Sequence, residues 1–210
     1  MTRLTAAGKR YLRECIILVD SREQTPWTFT NHETREAKLG NEYPHLFVGD
    51  YSIAHPSSEE FPDARSWAPG EADGVFVERK TLPDLIGSIS QGRERFGREW
   101  VKAHELNVKG NGRNMVVECT WGDIFAGDYR SKMSVASIVQ TLVTWPRTFG
   151  FHLDILGDQP NCEGCENRCN AMGSIQTDAK RQEMNRKLAA RMAESILEKH
   201  VARILKREGM

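Results

Sequence analysis

The residues best suited to do chemistry stand in one short run, Gly74-Val75-Phe76-Val77-Glu78-Arg79-Lys80-Thr81-Leu82-Pro83-Asp84-Leu85. Its first half is β-branched or aromatic behind a glycine, which predicts a strand. Side chains alternate along a strand, so Phe76, Glu78 and Lys80 share one face. A carboxylate and an ammonium pointing the same way form half of a metal-dependent phosphodiesterase site. The other half is a carboxylate on a neighbouring strand, and Asp50 in Val48-Gly49-Asp50-Tyr51 is the candidate. A plainer reading of Glu78 and Lys80 is a solvated strand edge with a weak ion pair. Asp84 has a structural reading too: Thr81-x-x-Asp84 is the spacing of a capping box, with Pro83 in the first helical turn.

The elements that must position these residues can be read along the chain. Thr2 to Arg13 is a short helix. Cys15-Ile16-Ile17-Leu18-Val19 is a continuous apolar run, as expected of a strand buried on both faces, with Asp20 at its end. Pro26-Trp27 marks a loop, and Glu33 to Leu39 reads as a short helix ending near Gly40. Leu46 to Ile53 is a second strand, where Gly49 beside Asp50 signals a bulge or a close backbone approach. His55 to Asp73, with Pro56, Pro62, Pro69 and Gly70, is a surface loop and a candidate lid or DNA guide. Helices follow from about Leu82 to Ile89 and from Gly92 to Leu106. The second is laced with Arg93, Arg95, Arg98 and Lys102 among Glu94, Glu99 and Glu105. Met115 to Cys119 is a further core strand, Ser134 to Trp145 a helix, and Phe151 to Leu156 a last strand. The order predicts a mixed central sheet flanked by helices.

Several motifs fall in one order: Val19-Asp20-Ser21-Arg22-Glu23 after an apolar strand, Gly49-Asp50-Tyr51, Glu78-Arg79-Lys80 with Asp84 and Leu85, then Ser88-Ile89 and Gly92-Arg93. This order resembles the nuclease domain of the XPF/Hef family of structure-selective DNA endonucleases. That family's signature is Gly-Asp, a variable gap, Glu-Arg-Lys, three residues and Asp, preceded by an Asp-x-Arg-Glu strand end. The resemblance covers about residues 14 to 156 and implies a restriction-endonuclease-like fold. It implies a DNA partner, with branched, flap or fork structures cut in recombination, repair or replication. Phosphodiester hydrolysis needs an activated water, neutralised charge and a stabilised leaving oxygen, all of which a carboxylate-held divalent ion supplies. Oxygen ligands with hydrated positions suit Mg²⁺ or Mn²⁺. Asp50 and Glu78 are then the expected ligands, with the Arg79 carbonyl as a candidate third. Asp20 adds a ligand or positions a water. Lys80 orients or deprotonates the water, or stabilises the transition-state charge. Arg22, Arg79 and Arg93 are the phosphate contacts, and Asp84 is either a helper carboxylate or only the helix cap. The family also contains catalytically silent DNA-binding partners, and the same fold serves restriction-like enzymes that cut linear duplex.

The remainder departs from the family. We read residues 1–160 as the nuclease domain and 161–210 as a Cys-rich turn followed by a basic amphipathic helix. Cys162-x2-Cys165-x3-Cys169 suits Zn²⁺ completed by His152 or an aspartate, or else leaves reduced thiols, with a three-cysteine iron–sulfur site as a weaker option. Cys15 and Cys119, in apolar strands, read as buried hydrophobes. The long helix, from about Thr177 to Glu208, sets an apolar stripe through Leu188, Met192, Ile196, Leu197, Val201, Ile204 and Leu205 against a face rich in Lys and Arg. That face is a solvated surface, a DNA-backbone contact or part of a homodimer. No helix-hairpin-helix signature accompanies it. Lys plus Arg and Asp plus Glu are 29 each, so any nucleic-acid footprint must be local. No run approaches a membrane span, and Thr2 to Glu14 lacks the apolar core of a secretory signal. The expected compartment is the cytoplasm, or the nucleus in a eukaryotic host.

Overall fold

The computed structural model of the chain describes residues 3–36, 46, 48–55, 74–105, 112–156 and 175–210. In chain order the elements are α1 (Ala6–Glu14), β1 (Ile16–Val19), β2 (Thr34–Glu36), β3 (Tyr51–Ala54), β4 (Phe76–Lys80), α2 (Leu82–Ile89), α3 (Arg93–Glu105), β5 (Arg113–Thr120), α4 (Trp121–Ala126), α5 (Val135–Phe149), β6 (His152–Leu156) and α6 (Ile175–Arg207). The six strands form one sheet in the order β2-β1-β3-β4-β5-β6. β3 runs antiparallel to both β1 and β4, while the β1–β2, β4–β5 and β5–β6 pairs are parallel. This mixed sheet between helices is the restriction-endonuclease-like arrangement expected from the sequence. The antiparallel β3 has a functional consequence. It brings its own start to the sheet edge where β1 and β4 end.

Local chemistry explains the element limits. All four residues of β1 are buried, as an unbroken apolar run requires. Thr81 caps α2 through its side chain and the Asp84 N–H, with Pro83 in the first turn. Thr120 and Asp123 form a reciprocal capping box that starts α4, a helix the hydrophobic periodicity did not announce. Ser134 caps α5. The stretch expected as a helix from Glu33 to Leu39 instead contributes β2. The outer edge of β1 must satisfy its backbone groups, and the Ile17 N–H donates to the Glu33 carbonyl at 2.8 Å. The second strand begins at Tyr51 rather than Leu46, because Gly49 takes φ +73°. A Cβ there would also lie 2.5 Å from the Phe76 ring, so the backbone approaches β4 as only glycine allows. The loop expected from His55 to Asp73 lies, from residue 56 onward, outside the described residues. So does the Cys162, Cys165 and Cys169 turn.

Two packed layers cover the sheet. On one side α3 and α5 supply Phe96, Trp100 and Trp145, which form an aromatic cluster with Phe76 and Phe151. The Phe96–Trp145 and Trp100–Phe151 ring centroids are 4.3 and 4.1 Å apart. Such aromatic pairs contribute about 0.5–1.5 kcal/mol each beyond their burial. On the other side α6 lies against β3, β4, β5 and β6. Its buried apolar residues are Ala189, Ala190, Ala193, Leu197 and Leu205, and the three alanines let the helix approach the strands. Leu188, Met192, Ile196 and Val201 of the expected stripe flank that contact and are only partly buried. Glu194 is buried on the same helix and accepts from the Thr30 and Asn31 N–H groups at 3.0 and 2.7 Å. Among the described residues no helix is long and apolar enough to cross a membrane.

Candidate active site

Three backbone ends meet at one edge of the sheet. The Asp20 N–H donates to the Asp50 carbonyl at 2.8 Å, and the Asp50 N–H donates to the Val77 carbonyl at 3.0 Å. Asp50 is thus the splice between β1 and β4, just before β3 begins. Its carboxylate Oδ2 accepts from the Arg79 N–H at 2.7 Å. One residue further along β4, the Lys80 ammonium donates to Glu78 Oε1 at 2.5 Å. Phe76, Glu78 and Lys80 all line a single pocket, which is the face predicted by strand alternation. Asp20, Arg22, Val48, Gly49 and Asp50 form its opposite wall. Arg95, Glu99, Trp100 and Lys102, from one face of α3, close the third side.

The charges in this pocket are coupled. Burial, and then the negative charge of Glu78, push the Asp50 carboxyl well above the ordinary carboxylate range; the Arg79 N–H and Lys80 act the other way. For Lys80, burial works against the charge. Attraction to Glu78, its hydrogen bond and the nearby Asp50 outweigh it, and the ammonium is held above its usual value. Asp20 is 2% exposed and committed elsewhere. It accepts from Arg22 Nε and a terminal guanidinium nitrogen at 2.8 and 3.0 Å, and from the Arg22 and Leu46 N–H groups at 2.8 and 2.9 Å. Its effect is to fix the Arg22 guanidinium at the pocket rim.

Three residues expected at the site stand apart from the pocket. Asp84 is exposed and accepts from the Thr81 hydroxyl at 2.6 Å, so it supports the Thr81 cap of α2. Arg93 places its guanidinium 5.4 Å from the Trp145 ring centroid. The Arg79 side chain projects to the α6 side of the sheet, as alternation from Glu78 and Lys80 demands. There it meets Glu118 at 2.9 and 3.1 Å, Glu23 at 2.8 Å and the Thr25 carbonyl at 2.9 Å. Sequence reasoning assigned Glu118 no role. The signal was present: a carboxylate in the otherwise apolar run Met115-Val116-Val117-Glu118-Cys119 needs a buried partner. The 95, 99, 102 spacing on α3 likewise marks one helical face, but not which way it turns.

The ERCC4 domain family matches residues 19–159. The chain belongs to this family. ERCC4 domains are the nuclease domains of the XPF/Hef endonucleases, so the sequence resemblance is borne out. The match begins beside Asp20 and includes every residue that lines the pocket. Nuclease domains of this family act on DNA and generally use divalent metal ions. No curated protein sequence matches the chain.

The donor set can be tested against such an ion. Burial and the Glu78 charge make the ionised Asp50 carboxylate costly, and a divalent cation beside it relieves that cost. The hard oxygen donors suit Mg²⁺ or Mn²⁺. Among the described residues no three His, Cys, Asp or Glu side chains group closely enough to hold a metal on their own. Asp20, the expected third carboxylate, is turned toward Arg22 and Leu46. An ion held by Asp50 and Glu78 would complete its shell with water, backbone carbonyl or phosphate oxygens, which is usual for hydrated Mg²⁺ sites.

Proposed function

We propose that this ERCC4 domain is a catalytically active, divalent-metal-dependent endodeoxyribonuclease, using Mg²⁺ or Mn²⁺, that hydrolyses phosphodiester bonds at branched, flap or fork DNA. The observation that carries the reading is the meeting of Asp50, Glu78 and Lys80 in one pocket, with Arg22 at the rim and Lys80 2.5 Å from Glu78. When bound, the metal supplies Lewis-acid activation of water and neutralises charge on the phosphate. Asp50 and Glu78 would hold it. Water oxygen bonds to phosphorus as its proton passes to solvent, the bridging P–O bond breaks, and the leaving oxygen takes a proton from solvent. Lys80 enters this reaction as an ammonium, because Glu78 keeps it charged. It therefore donates hydrogen bonds to the attacking water or to a non-bridging oxygen as negative charge builds there.

Arg22, oriented by Asp20, grips a non-bridging oxygen of the scissile phosphate in a charge-assisted contact. Phe76 and Trp100 form an apolar floor that strengthens these electrostatic contacts by limiting water. The branched-DNA preference rests on the family rather than on the pocket. The test is incubation with Mg²⁺ or Mn²⁺ and end-labelled flap, fork, four-way and linear DNAs, with Glu78→Gln as control. Cleavage near the branch by the wild type, and none by Glu78→Gln, is the expected result. Cutting of linear duplex at the same rate would move the assignment to a restriction-like enzyme. No cleavage of any substrate with either metal would make the chain a DNA-binding subunit.

A further inference from the structure

The geometry points to Glu118 and Arg186 as positioning residues that fix the Asp50 carboxylate from the far side of the sheet, making the C-terminal helix part of the catalytic frame. This inference rests on the proposed function. Arg79 is the relay. Its main-chain N–H holds Asp50 Oδ2 at 2.7 Å, so any shift of the β4 backbone at this residue moves the carboxylate. Its side chain leaves the opposite face of the sheet and is 9% exposed, as is that of Glu118. The two form a two-point contact at 2.9 and 3.1 Å, the planar fork that leaves a guanidinium little freedom. Glu118 Oε1 also accepts from the Trp27 indole N–H. Trp27 stacks on Tyr51, the first residue of β3, with centroids 4.7 Å apart and planes 10° from parallel. The Tyr51 hydroxyl in turn accepts from the Trp27 N–H at 2.9 Å.

The remaining guanidinium nitrogen of Arg79 reaches Glu23 at 2.8 Å and the Thr25 carbonyl at 2.9 Å. That turn is pinned from outside. Arg186 of α6 donates to the Thr25 and Pro26 carbonyls at 2.7 and 2.6 Å. One chain of contacts therefore runs from α6 through the 25–26 turn and Arg79 to Asp50. Glu118 anchors its middle. Charge balance makes the arrangement stiff rather than merely crowded. Arg79 sits between two acidic groups, Glu23 and Glu118, and removal of the guanidinium would leave both in a poorly solvated place. A carboxylate that must hold a cation needs this kind of support, because small displacements of a reacting group carry large rate penalties.

The test uses the full chain with two variants. Glu118→Gln keeps shape and one acceptor but weakens the two-point contact. Arg186→Ala removes only the outer pin and leaves the core intact, so it stands in if Glu118→Gln fails to fold. The readouts are Mn²⁺ affinity of the DNA-free protein by calorimetry, DNA affinity without metal, and single-turnover cleavage. Expected for Glu118→Gln are a cleavage rate lowered about 10-fold or more, weaker Mn²⁺ binding and unchanged DNA affinity. Arg186→Ala should move the same two quantities in the same direction, by less. Wild-type Mn²⁺ affinity and rate in both folded variants would overturn the inference. Loss of DNA affinity with Mn²⁺ binding preserved would overturn it too, and return Arg79 to phosphate contact. A wild-type protein that binds no Mn²⁺ would instead overturn the reading of the site itself.

Discussion

Asp50 sits between Glu78 and the Arg79 main chain, and burial together with the Glu78 charge holds its carboxyl well above the ordinary range. The sign of the linkage follows. A carboxyl whose folded value is raised contributes stability at low pH, and loses it as pH climbs through that value. At neutral to alkaline pH the ionised group therefore costs the fold free energy in the absence of metal. Asp50→Asn removes that cost and keeps an acceptor for the Arg79 N–H. It should abolish cleavage yet melt higher than the metal-free wild type at about pH 8, with the gap closing as pH falls. Added Mn²⁺ should raise the melting temperature of the wild type and leave that of the variant unchanged. A variant no more stable than wild type and still stabilised by Mn²⁺ would remove Asp50 from the metal site. The Lys80 ammonium is held above its usual value by Glu78, against its burial, before substrate arrives. Lys80→Ala should lower the saturating rate by roughly 10²-fold with little change in DNA affinity. Weakened affinity with an undiminished rate would make it a phosphate anchor. The placing of Lys80 beside Glu78 was legible in the sequence because strand alternation decides which neighbours share a face. Asp20 was not legible as the holder of Arg22, since its second anchor, the Leu46 N–H, arrives from a distant part of the chain.

At the scale of elements, two helices compete for the role of holding DNA. The sequence offered the basic face of α6. In the fold, two of its basic residues are engaged with other parts of the molecule: Arg181 pairs with Asp123 at 2.8 Å and Arg186 with the 25–26 turn. Arg191 and Lys199 are exposed further along, toward the end that meets α1. Helix α3 instead presents Arg95 and Lys102 to the pocket itself. Each phosphate contact releases counterions, so neutralising both in a Glu78→Gln background should weaken DNA binding and flatten the salt dependence by about two unit slopes. Arg191→Gln with Lys199→Gln should leave binding at the reference value. The opposite ranking, read by anisotropy over a salt series, would restore α6 as the DNA-holding surface. Helix α2 was legible to the residue because Thr81 and Pro83 write its start into the sequence. Strand β2 was not. Thr34, Arg35 and Glu36 are all exposed, carry no apolar pattern, and become a strand only because β1 presents an open edge.

For the molecule as a whole, the consequence of covering the sheet on both faces falls on its two described cysteines. Cys15 at the entry to β1 and Cys119 in β5 are each 2% exposed. Burial pushes both thiols from 9.0 up to about 12. A thiol that cannot ionise in the fold, yet ionises near its ordinary value once unfolded, adds stability that is fully present below about pH 9 and is lost as pH rises toward 12. The thiolate is also the reactive form, so these positions should resist thiol reagents until the protein opens globally. With Cys162, Cys165 and Cys169 replaced by serine, labelling of the native protein at about pH 8 should be slow and should track the unfolding equilibrium across a denaturant series. Denaturation midpoints at about pH 7 and about pH 10 should show an alkaline loss of stability that shrinks in the Cys15→Ala, Cys119→Ala double variant. Burial also pushes up the Tyr51 phenol, so some decline should persist without the thiols. The difference between the two proteins, not the decline itself, therefore carries the result. Fast labelling of Cys119 in the folded protein would mean that the layers over the sheet open well below the global transition. In that case the burial that holds both thiols neutral would be a property of a minor, easily opened packing rather than of the whole folded core.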